Sequence, residues 1–376
     1  MKIAFVHWGS GPYPANILFD RDPRQGFGYY TVSHAALRQS LRQRSIELLP
    51  HEAFTSSSKA DGLVCVDLPS NRKELESLAR CKVLNGAPRI LIAMESAHSR
   101  PELLSLKELM KWDHVFHYSH LLAENIKLTR YCLPSNLPHL RLAGTSYVHD
   151  CVRLVGMMGT NKPSRRSSLS SWPLLRLASG YQFSPSDCNR WLSMQDGLRL
   201  RRHWARELAS IIPEEFRVFG GQWAGEPYAP FHRVIKPKAN PCAMGYCKAS
   251  SISVIRGFRF FFATENLIGD PGYVTEKIFN VIRAGSVPIY CSSGSSCLMK
   301  DAAKMVGDFF VDIRDFSDPA SLIRYLQSVD PSQYREYLRS GRRFMASSFA
   351  VKHLINSYSG LLASRIARVL GAASVS

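Results

Sequence analysis

The stretch from Phe258 to Tyr290 leaves this chain few ways to fold. It opens on an apolar, aromatic run (Phe258, Phe260, Phe261, Phe262) of the kind that fills a buried strand. Gly269-Asp-Pro-Gly272 follows, a turn that neither helix nor strand tolerates. Tyr273-Val-Thr-Glu-Lys277 then leads into a helical pattern with Ile278, Phe279, Ile282 and Ala284 on its inner face, and Gly285 stands where a C-terminal cap belongs. Val287-Pro-Ile-Tyr290 returns to extended chain. Strand, tight loop, helix and strand in that order predict a βαβ unit with a right-handed crossover.

Such sheets bind ligands beyond the carboxyl ends of their strands, beside helix N-termini. A helix N-terminus offers free N–H groups and a partial positive charge, both suited to phosphate. Lys277 falls in the first turn, where the helix dipole disfavours a cation, and an anionic ligand there would account for it. Glu276 beside it can accept hydrogen bonds from ribose hydroxyls. A plain helix whose Glu-Lys start faces solvent fits the same residues, and the pattern alone leaves both readings open.

Elsewhere the chain repeats strand-then-helix order. Strands are expected at residues 2–8, 63–69, 88–94, 111–118 and 216–219, and helices from Tyr29, over 72–80, over 101–111, at Arg201–Leu208 and over 351–370. Glu95 follows the apolar run Pro88–Met94 and has two readings: a cap for the next helix, or a catalytic carboxylate past a strand's carboxyl end. His114, His117 and His120 suggest zinc, but residues three apart on a strand face opposite sides and cannot converge. Asp20-Arg-Asp22 has the spacing of a metal motif without a flanking strand pattern, and Gly26-Phe-Gly28 reads as a turn before a helix. The nine cysteines are scattered singly and read as small core residues of a reducing compartment.

Composition narrows the class. With 45% hydrophobic and 21% charged residues the chain is globular. It holds no run of roughly 18 uncharged apolar residues, so no membrane span is expected. Met1-Lys-Ile-Ala-Phe-Val-His-Trp8 enters a strand directly, without a signal-peptide core. The net charge of +18 calls for an anionic partner: nucleic acid, a membrane surface or a nucleotide-bearing substrate. Against specific nucleic-acid binding, the basic residues are spread along the chain and no recognition helix, zinc finger or stacking motif is present.

Glu265-Asn266, the short loop, Tyr273-Val-Thr-Glu-Lys-Ile278, the helix, Gly285 and Val287-Pro-Ile-Tyr290 together resemble the signature of the α-1,3/4-fucosyltransferases, glycosyltransferase family ten. Thr264 stands where that family usually has Phe, and Cys291-Ser-Ser where Trp-Gly is common. The resemblance implies a GT-B fold, an α/β architecture of two Rossmann-like domains facing across a cleft. It assigns residues 1–160 to an acceptor-binding domain, 161–185 to a Ser/Arg/Pro-rich interdomain segment, 186–350 to a GDP-sugar domain and 351–376 to a basic amphipathic helix and tail. It implies inverting, metal-independent transfer of L-fucose from GDP-fucose to a glycan hydroxyl, with no cofactor. Glu95 would be the base; Arg201, in a basic helix ahead of Gly220-Gly221, would contact the pyrophosphate with Lys277; and Asn266, Tyr273 and Glu276 would hold base, ribose and fucose. Eukaryotic relatives are anchored by an N-terminal helix, whereas this chain is expected in the cytoplasm, with peripheral contact to an anionic membrane through its C-terminal helix. Another sugar donor on the same fold, or a non-catalytic basic binding protein, are the rival expectations.

Overall fold

The computed structural model describes residues 1–8, 18–19, 28–54, 59–69, 86–97, 100–123, 125–135, 153–161, 180–225, 239–245, 251–291 and 298–371. The chain divides into two compact units. The first comprises Met1–Pro138, Arg165–Met194 and Lys352–Ser376; the second comprises His139–Ser164 and Gln195–Val351. Among the described residues, no helix is long and apolar enough to cross a membrane.

The first unit is built on six strands: β1 (Lys2–His7), β2 (Glu47–Pro50), β3 (Gly62–Val66), β4 (Arg89–Ala93), β5 (His114–His117) and β6 (Leu128–Arg130), in the order β2-β1-β3-β4-β5-β6. Every pairing is parallel. A parallel sheet is covered on both faces, so its strands read as unbroken apolar runs, and Ile90-Leu-Ile-Ala93 is buried at every residue. Helix α1 (Gly28–Arg42) connects β1 to β2. The chain leaves β1 for β2 on one side and β3 on the other, which puts the sheet's switch point at the ends of β1 and β3.

The second unit repeats the plan with β7 (Arg153–Met158), β9 (Phe216–Phe219), β10 (Phe258–Phe262), β12 (Val287–Tyr290) and β13 (Val311–Asp312), ordered β13-β12-β10-β7-β9 and all parallel. The aromatic run expected as a buried strand is β10, at the centre. β7 belongs to this sheet, so the second unit takes up the chain from His139, well upstream of residue 186. A short antiparallel pair, β8 (Gln195–Asp196) with β11 (Leu267–Ile268), ties the loop after β10 to the start of α2 (Gly197–Ile211). Asp196 caps α2, its Oδ1 accepting from Leu198 N and Arg199 N at 2.9 and 3.1 Å. α3 (Glu276–Ala284) ends on Gly285 at φ +86°, a left-handed C-cap that glycine adopts without strain. Its inner face meets α4 (Pro331–Met345), where Phe279 stacks on Phe344 at 5.8 Å.

Two expected helices are interrupted. Residues 101–111 form a single turn, Pro101–Leu104, and a short helix, Leu106–Leu109, because Ser105 adopts extended backbone between them and its side chain caps the second. The expected helix over 351–370 breaks at His353. Its Nδ1–H donates to Leu133 O (2.8 Å), and its own carbonyl accepts from Ser135 N and Oγ (2.7 and 3.0 Å). The last helix, α5 (Ile355–Val369), packs on α1 through Ser40 Oγ–H to Ser359 Oγ (3.1 Å) and buries Tyr358 against Tyr131. Leu361 is exposed, and so are the basic Lys352 and Arg368.

The first unit keeps a set of buried neutral imidazoles. Burial lowers His117 and His353 to about 4 and His34 to about 3 from the ordinary 6.5, and holds His7 well below it. Between pH 6.5 and about 4 the unfolded chain takes up protons at these sites that the folded chain refuses, so their contribution is complete above 6.5 and lost on acidification. Asp67 runs the other way: burial, with Glu95's charge, pushes it up to about 7, so its contribution is lost as pH rises. The histidines outnumber it. The thermal midpoint is therefore expected to fall steadily from pH 7 to pH 4.5; a midpoint flat over that range would contradict neutral buried histidines.

Candidate functional site

In the second sheet the chain leaves β7 for β9 on one side and β10 on the other, so the switch point lies between the ends of β7 and β10. Arg201, on the second turn of α2 and 3% exposed, reaches both ends. Its Nη2 donates to Thr264 O at 2.9 Å and to Asn266 Oδ1 at 3.0 Å, just past β10. Gly159, just past β7, has φ +150°, and a Cβ there would lie 2.5 Å from Arg201 Nη1, so bare backbone is needed beside the guanidinium. Burial works against the Arg201 charge, and the nearby Glu265, Tyr273, Glu276 and Asp196 support it. Arg202, its neighbour, is only half-buried.

The residues that open α3 join the same neighbourhood. Glu265, 2% exposed, accepts from Thr275 N at 2.8 Å and from Thr275 Oγ1, and pairs with Lys277 Nζ at 2.7 Å. Lys277 also donates to Thr275 Oγ1 at 3.1 Å. An anion that offsets the cation at this helix start is thus a carboxylate of the chain itself, a partner that neither sequence reading of Lys277 includes. Glu276 and Asn266 are half-buried, and Tyr273 is buried with its N–H donated to Asp270 O at 3.1 Å. Arg201, Asn266, Tyr273, Glu276 and Lys277 therefore gather around one strand end and one helix N-terminus: two cations, backbone donors and hydroxyl acceptors, a set chemically matched to a nucleoside diphosphate.

Glu95 lies in the first unit, half-buried and just past β4. Its N–H donates to Asp67 Oδ1 at 2.9 Å, and its carbonyl accepts from the Tyr118 hydroxyl at 2.9 Å. The turn at Pro101 has no side-chain cap bond from Arg100, and Leu106–Leu109 is capped by Ser105. His114 bonds Thr129 Oγ1 (3.1 Å), whereas His117 donates from Nε2 to Leu103 O (2.7 Å). Among the described residues no group of three or more His, Cys, Asp or Glu could hold a metal ion. Asp20 and Asp22, the turn at Gly26, the helix expected over 72–80 and residues 162–174 lie outside the described residues.

Glu265, Asp67 and Gly159 are missing from the sequence-derived set. The rule that singled out Glu95, a carboxylate directly after a buried apolar strand, also picks Asp67 after Leu63-Val-Cys-Val66 and Glu265 after the β10 run. Gly159 carries no such signal, because β7 is not recognisable beside the serine-rich stretch.

Comparison with known proteins adds three findings. Residues 239–359 match the model of glycosyltransferase family 10 (fucosyltransferase), C-terminal part. Asn266, Tyr273, Glu276 and Lys277 fall inside that match; Glu95 and Arg201 fall outside it. The chain is 29% identical over 106 residues to the human 3-galactosyl-N-acetylglucosaminide 4-alpha-L-fucosyltransferase FUT3, 27% of this chain and 28% of that protein. It is 33% identical over 79 residues to the mouse 4-galactosyl-N-acetylglucosaminide 3-alpha-L-fucosyltransferase 9, 21% of each. The match thus spans about a quarter of the length of these relatives. A solved alpha1,3-fucosyltransferase superposes with a TM-score of 0.52 at 15% identity, covering 98% of this chain and 90% of that one. That likeness concerns the fold alone, which is GT-B.

The Glu265–Lys277 pair yields a stability prediction. Lys277→Ala strands a buried carboxylate and is expected to cost about 2 kcal/mol, the low side of the range because Lys277 keeps 22% of its surface exposed. Adding Glu265→Gln should recover most of the loss in urea unfolding. Additive losses would mean that the two charges are not coupled.

Proposed function

We propose that this chain, whose residues 239–359 match the model of glycosyltransferase family 10, moves L-fucose from GDP-fucose to a hydroxyl of an acceptor glycan, with inversion and in α-1,3 or α-1,4 linkage. The observation that carries the reading is the buried Arg201 bound to Asn266 at the second sheet's switch point, beside the Lys277 helix start. Such a place suits the diphosphate of a nucleotide sugar.

In this reading the acceptor hydroxyl oxygen bonds to the fucose anomeric carbon while the bond from that carbon to the phosphate oxygen breaks. The electron pair leaves with GDP, and the hydroxyl proton passes to Glu95. The transition state resembles an oxocarbenium ion, by analogy with glycoside hydrolysis. Negative charge grows on the departing diphosphate, where Arg201 and Lys277 neutralise it together with the N-terminus of α3. These fixed cations do the work for which other transferases recruit a metal. Asn266, Tyr273 and Glu276 hold base, ribose and fucose through hydrogen bonds. The galactosyl-N-acetylglucosaminides in the names of the two mammalian relatives are the first acceptors to try. The exposed Lys352 and Arg368 give a basic edge for peripheral contact with an anionic membrane.

Two measurements test the reading. In a thermal-shift panel of GDP, UDP, ADP and CMP at matched concentration, GDP alone should stabilise the protein, by about 2.7 kcal/mol at a hundredfold excess over its Kd. A response to UDP instead would keep the fold and overturn the donor. Glu95→Gln should bind GDP-fucose normally and lose transfer by a factor of about 100 or more. Transfer within a few-fold of the parent would remove Glu95 as the base.

A further inference from the structure

Past the end of β4 the first unit holds its chain by an arrangement that packing alone does not require. The Asp67 carboxyl is completely buried, and its Oδ1 accepts two consecutive peptide N–H groups, Met94 at 2.7 Å and Glu95 at 2.9 Å. Asp67 itself sits at φ +60°, a left-handed conformation that a side chain other than glycine adopts at a cost. Its own N–H is tied to Ile92 O at 2.8 Å. The carbonyls of the same segment are fixed from the other direction: the Tyr131 hydroxyl donates to Ala93 O, and the Tyr118 hydroxyl to Glu95 O. Asp67 itself lies at the first sheet's switch point, past β3, with His7 Nε2 at the end of β1 lying 3.8 Å from its Oδ2. Burying a carboxyl and holding it on strained backbone are two separate costs, and strain of this kind persists where surrounding structure enforces a geometry that function uses.

We propose that Asp67 is a positioning residue: by gripping the Met94 and Glu95 peptide N–H groups it fixes where and in which direction Glu95 leaves β4. The inference rests on the reading of Glu95 as the base. It identifies a determinant of that base's placement in the core of the first unit, past the end of a different strand from the one the base follows. A carboxyl suits the task because one of its oxygens, with two lone pairs on a short side chain, accepts both N–H groups at once. Alternatives that merely fill the space, or merely tolerate φ +60°, would leave the loop free to shift, and a shift of about 1 Å in a reacting group can cost roughly a hundredfold in rate.

Two substitutions respect the backbone, since glycine and asparagine both accept left-handed φ. Asp67→Gly removes the acceptor while relieving the strain, so it separates catalysis from folding. Asp67→Asn keeps an oxygen acceptor. The expected result for Asp67→Gly is kcat reduced by roughly 100-fold, with the donor KM and GDP affinity unchanged, and Asp67→Asn restored to within about tenfold of the parent. Hydrogen exchange at Met94 and Glu95 should quicken in Asp67→Gly and stay near the parent rate in Asp67→Asn. Parental kcat or parental exchange in Asp67→Gly overturns the proposal, as does an Asp67→Asn rate as low as that of Asp67→Gly. Glu95→Gln run in parallel separates the two ideas. Transfer retained there removes the base, and its positioning with it; transfer lost there but kept in Asp67→Gly overturns positioning alone.

Discussion

A guanidinium cannot leave water without acceptors placed to receive it, and the second unit is arranged around that requirement at Arg201. Its two acceptors, Thr264 O and Asn266 Oδ1, lie on the loop after β10, so that loop has to be held still. The β8–β11 pair does so, reinforced by Gly197 N–H donating to Asn266 O at 3.2 Å. On the other side the guanidinium needs room, which the bare backbone of Gly159 supplies. Gly159 is fixed in turn by the Trp223 indole donating to its carbonyl at 2.6 Å. Remove any of these supports and a buried charge loses its geometry.

The two units solve the same problem in different ways. At the strand ends of the second, buried charge is matched with opposite charge or carbonyl oxygen, as at Arg201 and at Glu265 with Lys277. In the first, several buried groups do without charge: the imidazoles of His7, His34 and His117 stay neutral, and Asp67 is pushed toward its protonated form. Pairing makes a site responsive to ions, and neutralisation makes one responsive to protons.

Legibility in the sequence followed the range of the forces involved. The strand-loop-helix-strand order of 258–290 is written in nearest-neighbour periodicity and turn chemistry, so it could be read directly, including Gly285 as the cap. β7 could not be read, because what makes Arg153–Met158 a strand is its place between β9 and β10. The break at His353 has the same origin: its partners, Leu133 and Ser135, are more than two hundred residues away in sequence. Lys277 is out of place in a first turn, yet the carboxylate that offsets it sits twelve residues earlier, across a loop whose folding no local pattern reveals. Of the candidate site, the residues on 258–290 came from sequence pattern and resemblance, whereas the hydrogen-bonded partners that hold them came only from the structure.

The Glu265–Lys277 contact changes what binding means at the second unit's candidate site. In the proposed reading the lysine is already matched, and an arriving anion shares Lys277 with a resident carboxylate. Association is then an exchange of one partner for another. The net gain is smaller than that of two opposite charges meeting in an empty cavity, and it depends on what else the newcomer can offer. Selectivity passes to the parts of the ligand beyond its phosphates, and departure is eased because the lysine always has somewhere to return.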